Sequence, residues 1–282
     1  MKINILGVQI DPVTHKQALE KANEFLNFNG QRHIITANPE MVLHAWQNGK
    51  YRQLINNSAL VTPDGIGLIW AGKFLSLESD SIINSLIQAI VAGFSLIINS
   101  DYCYDVFPER VAGVDLLDKI CELAARSNKK VYLLGGGEGI AKKTAEILKK
   151  QYLNLLIVGA EAGPMIEEAK ISQQDTKKNQ ETIYKIQTAE PDLLFVAFGA
   201  PKQEYWIKEN LPSCPSVKVA MGVGGAFDFI SGKTKRAPQI YRDLNLEWLH
   251  RLIYQPWRAL RIFNATAAFA YYIIKFKHKA KS

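Results

Sequence analysis

Polar residues that could act on a substrate follow two apolar runs of the sequence. Thr36-Ala-Asn-Pro-Glu40 comes after one run and Thr62-Pro-Asp-Gly-Ile-Gly67 after another. Thr36, Asn38 and Glu40 would point from a strand end into a cleft, but an Asn-Pro pair is equally typical of a plain helix cap. Asp64 lies at the tip of a Pro-Asp-Gly turn, where a carboxylate could accept the proton of an attacking hydroxyl. Ordinary turn chemistry explains the same turn, so both interpretations stay open.

Two glycine-rich turns are typical of sites that approach a phosphate closely. Gly135 and Gly136 precede a predicted helix, whose backbone N–H groups and positive end favour an anion. Gly222 and Gly224 are followed by Asp228 and a basic run, which suit a ribose and phosphates, although a solvated basic loop is the alternative. The first turn matches neither the dinucleotide fingerprint nor a P-loop. A nucleotide or sugar phosphate is therefore favoured over NAD or ATP hydrolysis.

A further polar motif follows the apolar run at residues 191–199. Gln203 and Glu204 could hydrogen-bond a uracil, a ribose or another sugar, with capping of the next helix as the alternative. The five histidines are scattered and fit no metal-ligand spacing. We therefore expect no metal and no cofactor, with arginine or lysine neutralising phosphate charge.

Short apolar runs alternate with longer helical patterns along most of the chain. We predict strands at residues 32–36, 58–62, 130–134, 155–159, 193–198 and 217–223. We predict helices at residues 14–28, 40–48, 113–127, 140–151, 180–188 and 202–211. Continuous apolar strands separated by helices indicate an α/β fold, a Rossmann-like and mostly parallel sheet with helices on both faces. Ligands of such sheets bind at the carboxyl ends of the strands, where the polar motifs are found.

Positive charge is concentrated at the C-terminal end. The 282 residues carry a net charge of +7, whereas residues 231–282 carry +9 and the first 230 carry −2. This distribution predicts an anionic partner: nucleic acid, an anionic membrane surface or a phosphorylated ligand. No nucleic-acid-binding motif is present, so we expect no nucleic acid partner. Residues 1–10 indicate a first strand rather than a signal peptide, and three widely spaced cysteines favour a cytoplasmic protein.

Two apolar segments depart from the alternating pattern. Residues 81–100 carry no charge and are long enough to consider a membrane span, but polar residues interrupt them inside the α/β body. We expect an embedded or surface-docked helix there. Residues 259–274 are apolar and aromatic, and lysines from Lys275 to Lys281 follow, which favours a helix in a membrane interface. A C-terminal helix packed on the core, with a solvated tail, is the alternative.

Taken in order, the motifs resemble the WecG/TagA/CpsF glycosyltransferases over nearly the whole chain. The resemblance rests on T-A-N-P-E, T-P-D-G-I-G, E-R-V-A-G-V-D (residues 109–115), L-L-G-G, P-D-L-L-F-V-A-F-G-A-P-K-Q-E, G-V-G-G-A-F-D with G-K-T-K-R-A-P, and E-W-L-H-R-L-I-Y-Q-P-W-R (residues 247–258). It implies an inverting, metal-independent enzyme, peripheral on the inner face of the cell membrane. Such enzymes transfer N-acetylmannosamine or a related sugar from a UDP-sugar donor to a polyprenyl-diphosphate-linked acceptor, in teichoic acid or other cell-surface polysaccharide synthesis.

The resemblance also implies roles for individual residues. Asp64 would be the catalytic base with Thr36 beside it, and Asn38 and Arg110 would line the same pocket. The turns at residues 135–136 and 222–225 would hold UDP. The remaining implied ligand contacts are Gln203 and the C-terminal arginines Arg251, Arg258 and Arg261, which would engage the diphosphate and close the site. We accordingly divide the chain into a catalytic domain at residues 1–235 and a basic, membrane-associating appendage at residues 236–282.

One segment departs from the family pattern. An insertion near residues 75–107 separates the P-D-G-I-G turn from the E-R-V-A-G-V-D motif. It could contact the membrane, cover the acceptor groove or join subunits of a homo-oligomer. Two other functions stay open: a nucleotide-dependent oxidoreductase or epimerase, and a non-catalytic module that binds nucleotide sugars at a membrane. The missing dinucleotide fingerprint argues against the first of these.

Overall fold

A parallel β-sheet forms the centre of the protein. The structure is a computed structural model that describes residues 1–167, 170–171, 175–256 and 259–279. The strands of this part of the chain are β1 (Ile3–Ile5), β2 (Val8–Ile10), β3 (Arg32–Ala37), β4 (Leu60–Pro63), β5 (Lys130–Gly135), β6 (Leu156–Glu161), β7 (Ile166–Glu167), β8 (Lys170–Ile171), β9 (Leu193–Ala197) and β10 (Val219–Gly222). Six of them pair in parallel in the order β4-β3-β10-β9-β5-β6.

Helices cover both faces of this sheet. Their bounds are α1 (His15–Leu26), α2 (Pro39–Gln47), α3 (Gly49–Asn56), α4 (Ile66–Ser76), α5 (Ile82–Ile98), α6 (Gly113–Arg126), α7 (Ile140–Gln151), α8 (Thr176–Ala189), α9 (Lys202–Asn210), α10 (Ala226–Ile230), α11 (Gln239–Asp243), α12 (Glu247–Tyr254), α13 (Ala259–Phe263) and α14 (Phe269–Lys279). Successive strand residues belong to opposite apolar layers. Ile34 and Leu133 pack with α1, α6 and α7, whereas Ile35 packs with α2–α5 and Leu134 with α8 and α9. The predicted α/β fold with a parallel sheet buried on both faces is confirmed.

The N-terminal residues differ from the single strand expected from the sequence. β1 and β2 form an antiparallel hairpin outside the main sheet. Leu6 and Gly7 occupy its two-residue turn with φ of 50° and 85°, and the Gly7 N–H donates to Asn4 Oδ1 at 2.7 Å. Such turns need positive φ at both positions, which leucine rarely adopts, so the apolar run gave no indication of the turn.

The segment without charges forms α5, followed by a 3₁₀ turn at Ser100–Cys103. The indole N–H of Trp70 in α4 donates to the Ala89 carbonyl of α5 at 3.0 Å. The buried side of α5 carries Ser85 and Ala92. In the part of the chain that the structure describes, no helix combines the length and apolarity needed to cross a bilayer. This agrees with the expectation of a docked helix.

The C-terminal helices pack back onto the body. Phe269 and Ile273 of α14 are buried in the same apolar layer as α2–α5. Lys277 is 6% exposed, and its ammonium donates to the Phe74 carbonyl at 2.8 Å and to Gln88 Oε1 at 3.0 Å. The expectation that the lysines from Lys275 to Lys281 face lipid head groups is therefore wrong for Lys277, because its ammonium group is buried and hydrogen-bonded within the protein. Lys281 lies outside the described residues.

Candidate active site

Asp64 is held at the carboxyl end of β4 by close packing of two turns. Its N–H donates to the Ala37 carbonyl at 2.8 Å, which ties the turn after β4 to the end of β3. A Cβ on Gly65 would stand 2.4 Å from Pro39 Cδ. Only glycine fits at that distance, so the Pro-Asp-Gly turn and the Asn-Pro turn are built against each other.

Thr36 and Asp64 meet at the start of α6. A Cβ on Gly113 would stand 2.8 Å from Thr36 Oγ1 and 3.3 Å from Asp64 Oδ2. The Gly113 N–H faces the Asp64 carboxylate closely enough to lower the pKa of that carboxyl. Three sequence motifs that are far apart in the chain therefore converge here, and the predicted neighbourhood of Thr36 and Asp64 is present in the structure.

The surroundings of Asp64 favour a carboxyl group that is basic near neutral pH. Burial raises its pKa, and the Glu247 carboxylate raises it further. The Arg110 and Arg251 guanidinium groups and the Gly113 N–H oppose this effect, and the resulting pKa is about 6. A carboxylate with this pKa is ionised at neutral pH and still basic enough to take up a proton during a reaction.

A cavity of about 510 Å³ opens above Asp64. Its floor is the carboxyl edge of β3 and β4, and its walls come from α4, α5 and the C-terminal helices α12–α14. The site residues predicted from sequence that line it are Asn38, Asp64, Arg110, Arg251 and Arg261. The C-terminal arginines and the predicted base thus share one cavity. Arg258 lies outside the described residues.

Carboxylates hold the cationic groups of this cavity in place. Glu247 accepts a hydrogen bond from Arg251 at 2.8 Å and lies 3.6 Å from Arg110. Burial alone would raise the pKa of Glu247, but Arg251, Arg110 and Arg236 hold it below its ordinary value. The cavity is lined by the arginines Arg110, Arg251 and Arg261 and by the carboxylates Glu40, Asp64 and Glu247, so an anionic ligand would meet guanidinium groups that carboxylates already hold in place.

Arg261, on α13, is held in place by a carboxylate of α2. Its guanidinium forms a two-pronged ion pair with Glu40, with Nη2–Oε2 and Nε–Oε1 distances of 2.8 and 3.0 Å. This pair joins α13 to the first turn of α2. Asn38 caps the same helix, since its Oδ1 accepts the Met41 N–H at 3.0 Å. Both interpretations of Asn38 therefore fit, because it is a helix cap and also lines the cavity.

Sequence reasoning pointed Glu40 into the cleft but did not pair it with Arg261, and it assigned no role to Glu247 or to the pair formed by Arg236 and Asp115. Arg236 Nη2 donates to Asp115 Oδ2 at 2.7 Å, which anchors the chain after β10 to α6. All four residues stand inside the quoted motifs. The sequence therefore marked all four residues as parts of motifs. It did not show which residues pair, because the partners belong to segments that are far apart in the chain.

The glycine turns lie farther along the same edge of the sheet. Gly135 and Gly136, at the end of β5, have φ of 111° and 78°, and Gly222 ends β10. None of the predicted residues Gly135, Gly136, Gln203, Gly222, Gly224 and Asp228 lines the Asp64 cavity. With strands about 4.8 Å apart, β10 lies roughly 10 Å and β5 roughly 19 Å from β4. One extended ligand could therefore run from these turns to Asp64.

Gln203 joins the turn after β9, at Gly199, to the turn after β10, at Gly224. Its Oε1 accepts the Gly199 and Gly224 N–H groups at 3.2 and 2.9 Å, and its Nε2 donates to Glu204 Oε1 at 2.7 Å. Glu204 is buried, also accepts from Tyr51, and has a pKa raised to about 7 by its burial. Direct contact of Gln203 with a ligand stays a prediction. Its hydrogen bonds support a role in holding the Gly224 turn.

Two further predictions concern charge on this edge. Asp228 forms an ion pair with Lys233 at 3.2 Å, so its predicted contact with a ribose stays a prediction. Across the described residues, no group of three or more His, Cys, Asp or Glu side chains is arranged to hold a metal.

Comparison with known proteins agrees with the arrangement of these motifs. The model of the glycosyl transferase WecG/TagA/CpsF family matches residues 3–86 and 78–282. A Staphylococcus aureus (strain MRSA252) protein named N-acetylglucosaminyldiphosphoundecaprenol N-acetyl-beta-D-mannosaminyltransferase is 30% identical over 99% of this chain and 95% of its own length. The protein of that name from strain MW2 is 29% identical over the same shares. The chain belongs to the WecG/TagA/CpsF family of glycosyl transferases.

Proposed function

We propose that this chain transfers N-acetylmannosamine or a closely related sugar from a UDP-sugar to a polyprenyl-diphosphate-linked sugar. The names of its relatives describe a mannosaminyl transfer to N-acetylglucosaminyldiphosphoundecaprenol, which supports this sugar and acceptor. We place the reaction at the inner face of the cell membrane, in teichoic acid or other cell-surface polysaccharide synthesis. It needs no metal and no cofactor in this proposal.

The observation that carries the proposal is the position of Asp64. This carboxylate lies at the floor of a cavity whose other charged lining groups include Arg110, Arg251 and Arg261. A base and several cations in one cavity match a displacement in which a hydroxyl attacks and a diphosphate leaves. The pKa of about 6 leaves the base ionised at neutral pH.

The proposed reaction is a single displacement at the anomeric carbon of the donor sugar. Asp64 accepts the proton of the acceptor hydroxyl as its oxygen bonds to that carbon from the face opposite UDP. The bond from the anomeric carbon to the diphosphate oxygen breaks at the same time, and UDP leaves with the electron pair. Arginine side chains already fixed by Glu247 and Glu40 stabilise the departing negative charge.

The donor would lie along the carboxyl edge of the sheet. In this arrangement the uridine and ribose occupy the glycine turns after β5 and β10, and the diphosphate points toward Arg251 and Arg261. Two features support this placement: α7 begins shortly after the turn at Gly135, and the left-handed Gly224 has no side chain to keep a ligand away from the backbone. Gln203 keeps the second turn in shape.

Replacement of Asp64 tests the proposal. Asp64→Asn keeps the size of the side chain but removes the base, so transfer should fall at least about 1000-fold, within the range attributed to general base catalysis. Donor binding should change little. Transfer is measured by mass spectrometry with a panel of UDP-sugars and a short-chain polyprenyl-diphosphate-sugar acceptor.

The matched control is Asp80→Asn, which makes the same chemical change at an exposed position outside the cavity. It should transfer sugar at the wild-type rate. Near-normal turnover of Asp64→Asn would show that another group is the base. A wild-type protein that binds the donor but forms no product with any acceptor would instead favour a binding module.

A further inference from the structure

The inserted helix α5 leaves one complete face without a partner in the described chain. Its exposed apolar side chains recur every three or four residues, which places them on one side of the helix. They are between 42% and 81% exposed and comprise Ile82, Ile83, Leu86, Ile87, Ile90, Val91, Phe94, Ile97 and Ile98. Soluble monomers rarely expose a continuous apolar patch of this kind, so the face is a candidate contact surface. We call it the α5 face.

The side of α5 that adjoins this face is part of the active-site cavity. Gly93 and Leu96 line the cavity that contains Asp64. The Asn245 side chain donates to the Leu96 carbonyl at 3.0 Å, and Lys277 reaches Gln88 Oε1 at 3.0 Å. These bonds join α5 to the C-terminal helices that form the cavity walls. A surface that contacts the α5 face is therefore one helix away from the reaction centre.

We infer that the α5 face inserts into the head-group region of a lipid monolayer and holds the wall of the Asp64 cavity at the membrane. The inference rests on the proposed function for its choice of lipid, because a lipid-linked acceptor keeps its hydrocarbon in the bilayer while its sugar reaches Asp64. At about 1.5 Å per residue, the 17 residues of α5 extend roughly 25 Å, which suits a helix lying in the interface.

The path of the lipid-linked acceptor favours lipid over a second copy of the chain. The α5 face is continuous, through Gly93 and Leu96, with the wall of a cavity that must admit a lipid-linked molecule. A second copy seated on α5 would bury the same side chains but give that molecule no apolar surface to follow. In addition, residues 81–100 contain no charged side chain. The contact is therefore hydrophobic, and it needs neither anionic lipid nor low salt.

Vesicle flotation of the full chain tests the inference. The variant Ile83→Ser/Ile87→Ser/Phe94→Ser removes three apolar groups from the α5 face, and none of them lines the cavity. With vesicles of neutral phosphatidylcholine in high salt, wild-type protein should float with the lipid, and this variant should lose at least about tenfold in partition coefficient. The same measurement with phosphatidylglycerol added separates any contribution of the basic C-terminal residues.

A matched variant controls for loss of exposed apolar area in general. Leu153→Ser/Met165→Ser/Tyr184→Ser changes three side chains that are also at least 65% exposed but belong to the far end of the sheet. It should float like wild type. Equal flotation of the α5 variant and wild type would overturn the inference. So would a wild-type oligomer that the α5 variant breaks without any change in lipid partition, because the face would then join two copies.

A local probe guards against misfolding of the triple variant. The native cysteines Cys103, Cys121 and Cys214 are buried, so a fluorophore can be attached selectively to Ile87→Cys or, as control, to Tyr184→Cys. Neutral vesicles should shift the emission of the first to the blue and leave the second unchanged. No shift at position 87 would contradict insertion.

Failure of the docking surface and failure of the proposed function give different results. Partition is measured without substrate, so Asp64→Asn should float like wild type. The α5 variant should retain transfer to a water-soluble, short-chain acceptor and lose at least about tenfold with a long-chain acceptor in vesicles. Normal flotation without transfer to any acceptor would remove the proposed function and leave the α5 face in place.

Discussion

The environment of Asp64 balances two opposite requirements at the scale of one residue. A catalytic base must be ionised at the working pH, yet it must also be basic enough to take a proton. Burial and Glu247 favour the protonated form, whereas Arg110 and Arg251 favour the carboxylate. Because two of these charged residues lie on α12, the C-terminal segment sets the basicity of Asp64 as well as covering it.

This balance predicts a dependence of stability on pH. The pKa of Asp64 is about 6 in the folded protein against 3.8 for an ordinary aspartate. The folded state therefore holds the proton more tightly, and the resulting stabilisation is complete below about pH 4 and lost as the pH rises through 6. Asp64→Asn, which imitates the protonated form, should raise the free energy of unfolding at pH 7.5 by about 2–3 kcal/mol and change it little at pH 4.

Urea unfolding of both proteins at the two pH values checks this prediction. Asp80→Asn serves as the control, because that carboxyl is exposed and the substitution should have the same small effect at both pH values. If Asp64→Asn is no more stable than wild type at pH 7.5, burial does not destabilise the ionised form of Asp64.

The roles of Asp64, Thr36 and Arg110 were implied by the resemblance, which rests on the order of several motifs. The Thr36 and Asp64 motifs taken alone left a structural alternative open. Sequence reasoning did not identify the arginine partner of Glu40 or any role for Glu247, although both carboxylates lie in quoted motifs. A carboxylate that orients an arginine has no local pattern of its own, and the Glu40–Arg261 pair joins residues 221 positions apart. Such partners can be found only when the fold brings the segments together.

At the scale of elements, the carboxyl edge of the sheet depends on how closely its turns pack. A Cβ on Gly135 would lie 2.6 Å from the Ala197 carbonyl oxygen on the neighbouring strand, at a φ of 111°. Gly137, two residues later, also has a positive φ of 84°, but a Cβ there meets no atom within 4 Å. An alanine at position 135 would therefore destabilise the fold through both crowding and its backbone conformation, whereas an alanine at position 137 would do so through the backbone conformation alone.

We predict that Gly135→Ala lowers the free energy of unfolding by at least about 3 kcal/mol, since β5 and β9 must separate to admit the methyl group. Gly137→Ala should cost about 1–2 kcal/mol from its left-handed backbone alone. Denaturant unfolding of the two variants measures the difference. Equal losses would mean that the β5 turn moves aside easily and does not hold a fixed shape.

Most strands of the sheet were predictable because a strand buried on both faces is a continuous apolar run. The predicted helix at residues 140–151 matches α7 in both bounds. The N-terminal hairpin was not predictable from its apolar run, because its turn is made by Leu6, a residue that rarely adopts positive φ. The position of α5 depends on contacts with Trp70, Asn245 and Lys277, which lie outside its own sequence.

At the scale of the whole molecule, the C-terminal segment forms part of the cavity wall and also part of the hydrophobic core. Arg251 and Arg261 line the cavity, while Phe269 and Ile273 are buried beside α2–α5. The resemblance to the family implied the first property, and the second was left as an alternative. Removing residues 247–282 would therefore expose part of the core, so point substitutions give a cleaner test of the arginines than truncation does.

Shared burial predicts that the segments at residues 1–235 and 236–282 unfold together. Phe269 is 1% exposed, and Phe269→Ala should lower the free energy of unfolding by about 3–5 kcal/mol. Tyr271, on the same helix but 59% exposed, is the matched control, and Tyr271→Ala should change it by no more than about 0.5 kcal/mol. Hydrogen exchange followed by mass spectrometry should show that Phe269→Ala weakens protection in α14 and in β3 and β4 alike. Faster exchange confined to the C-terminal helices, with the sheet unchanged, would instead show that the appendage opens as a separate unit.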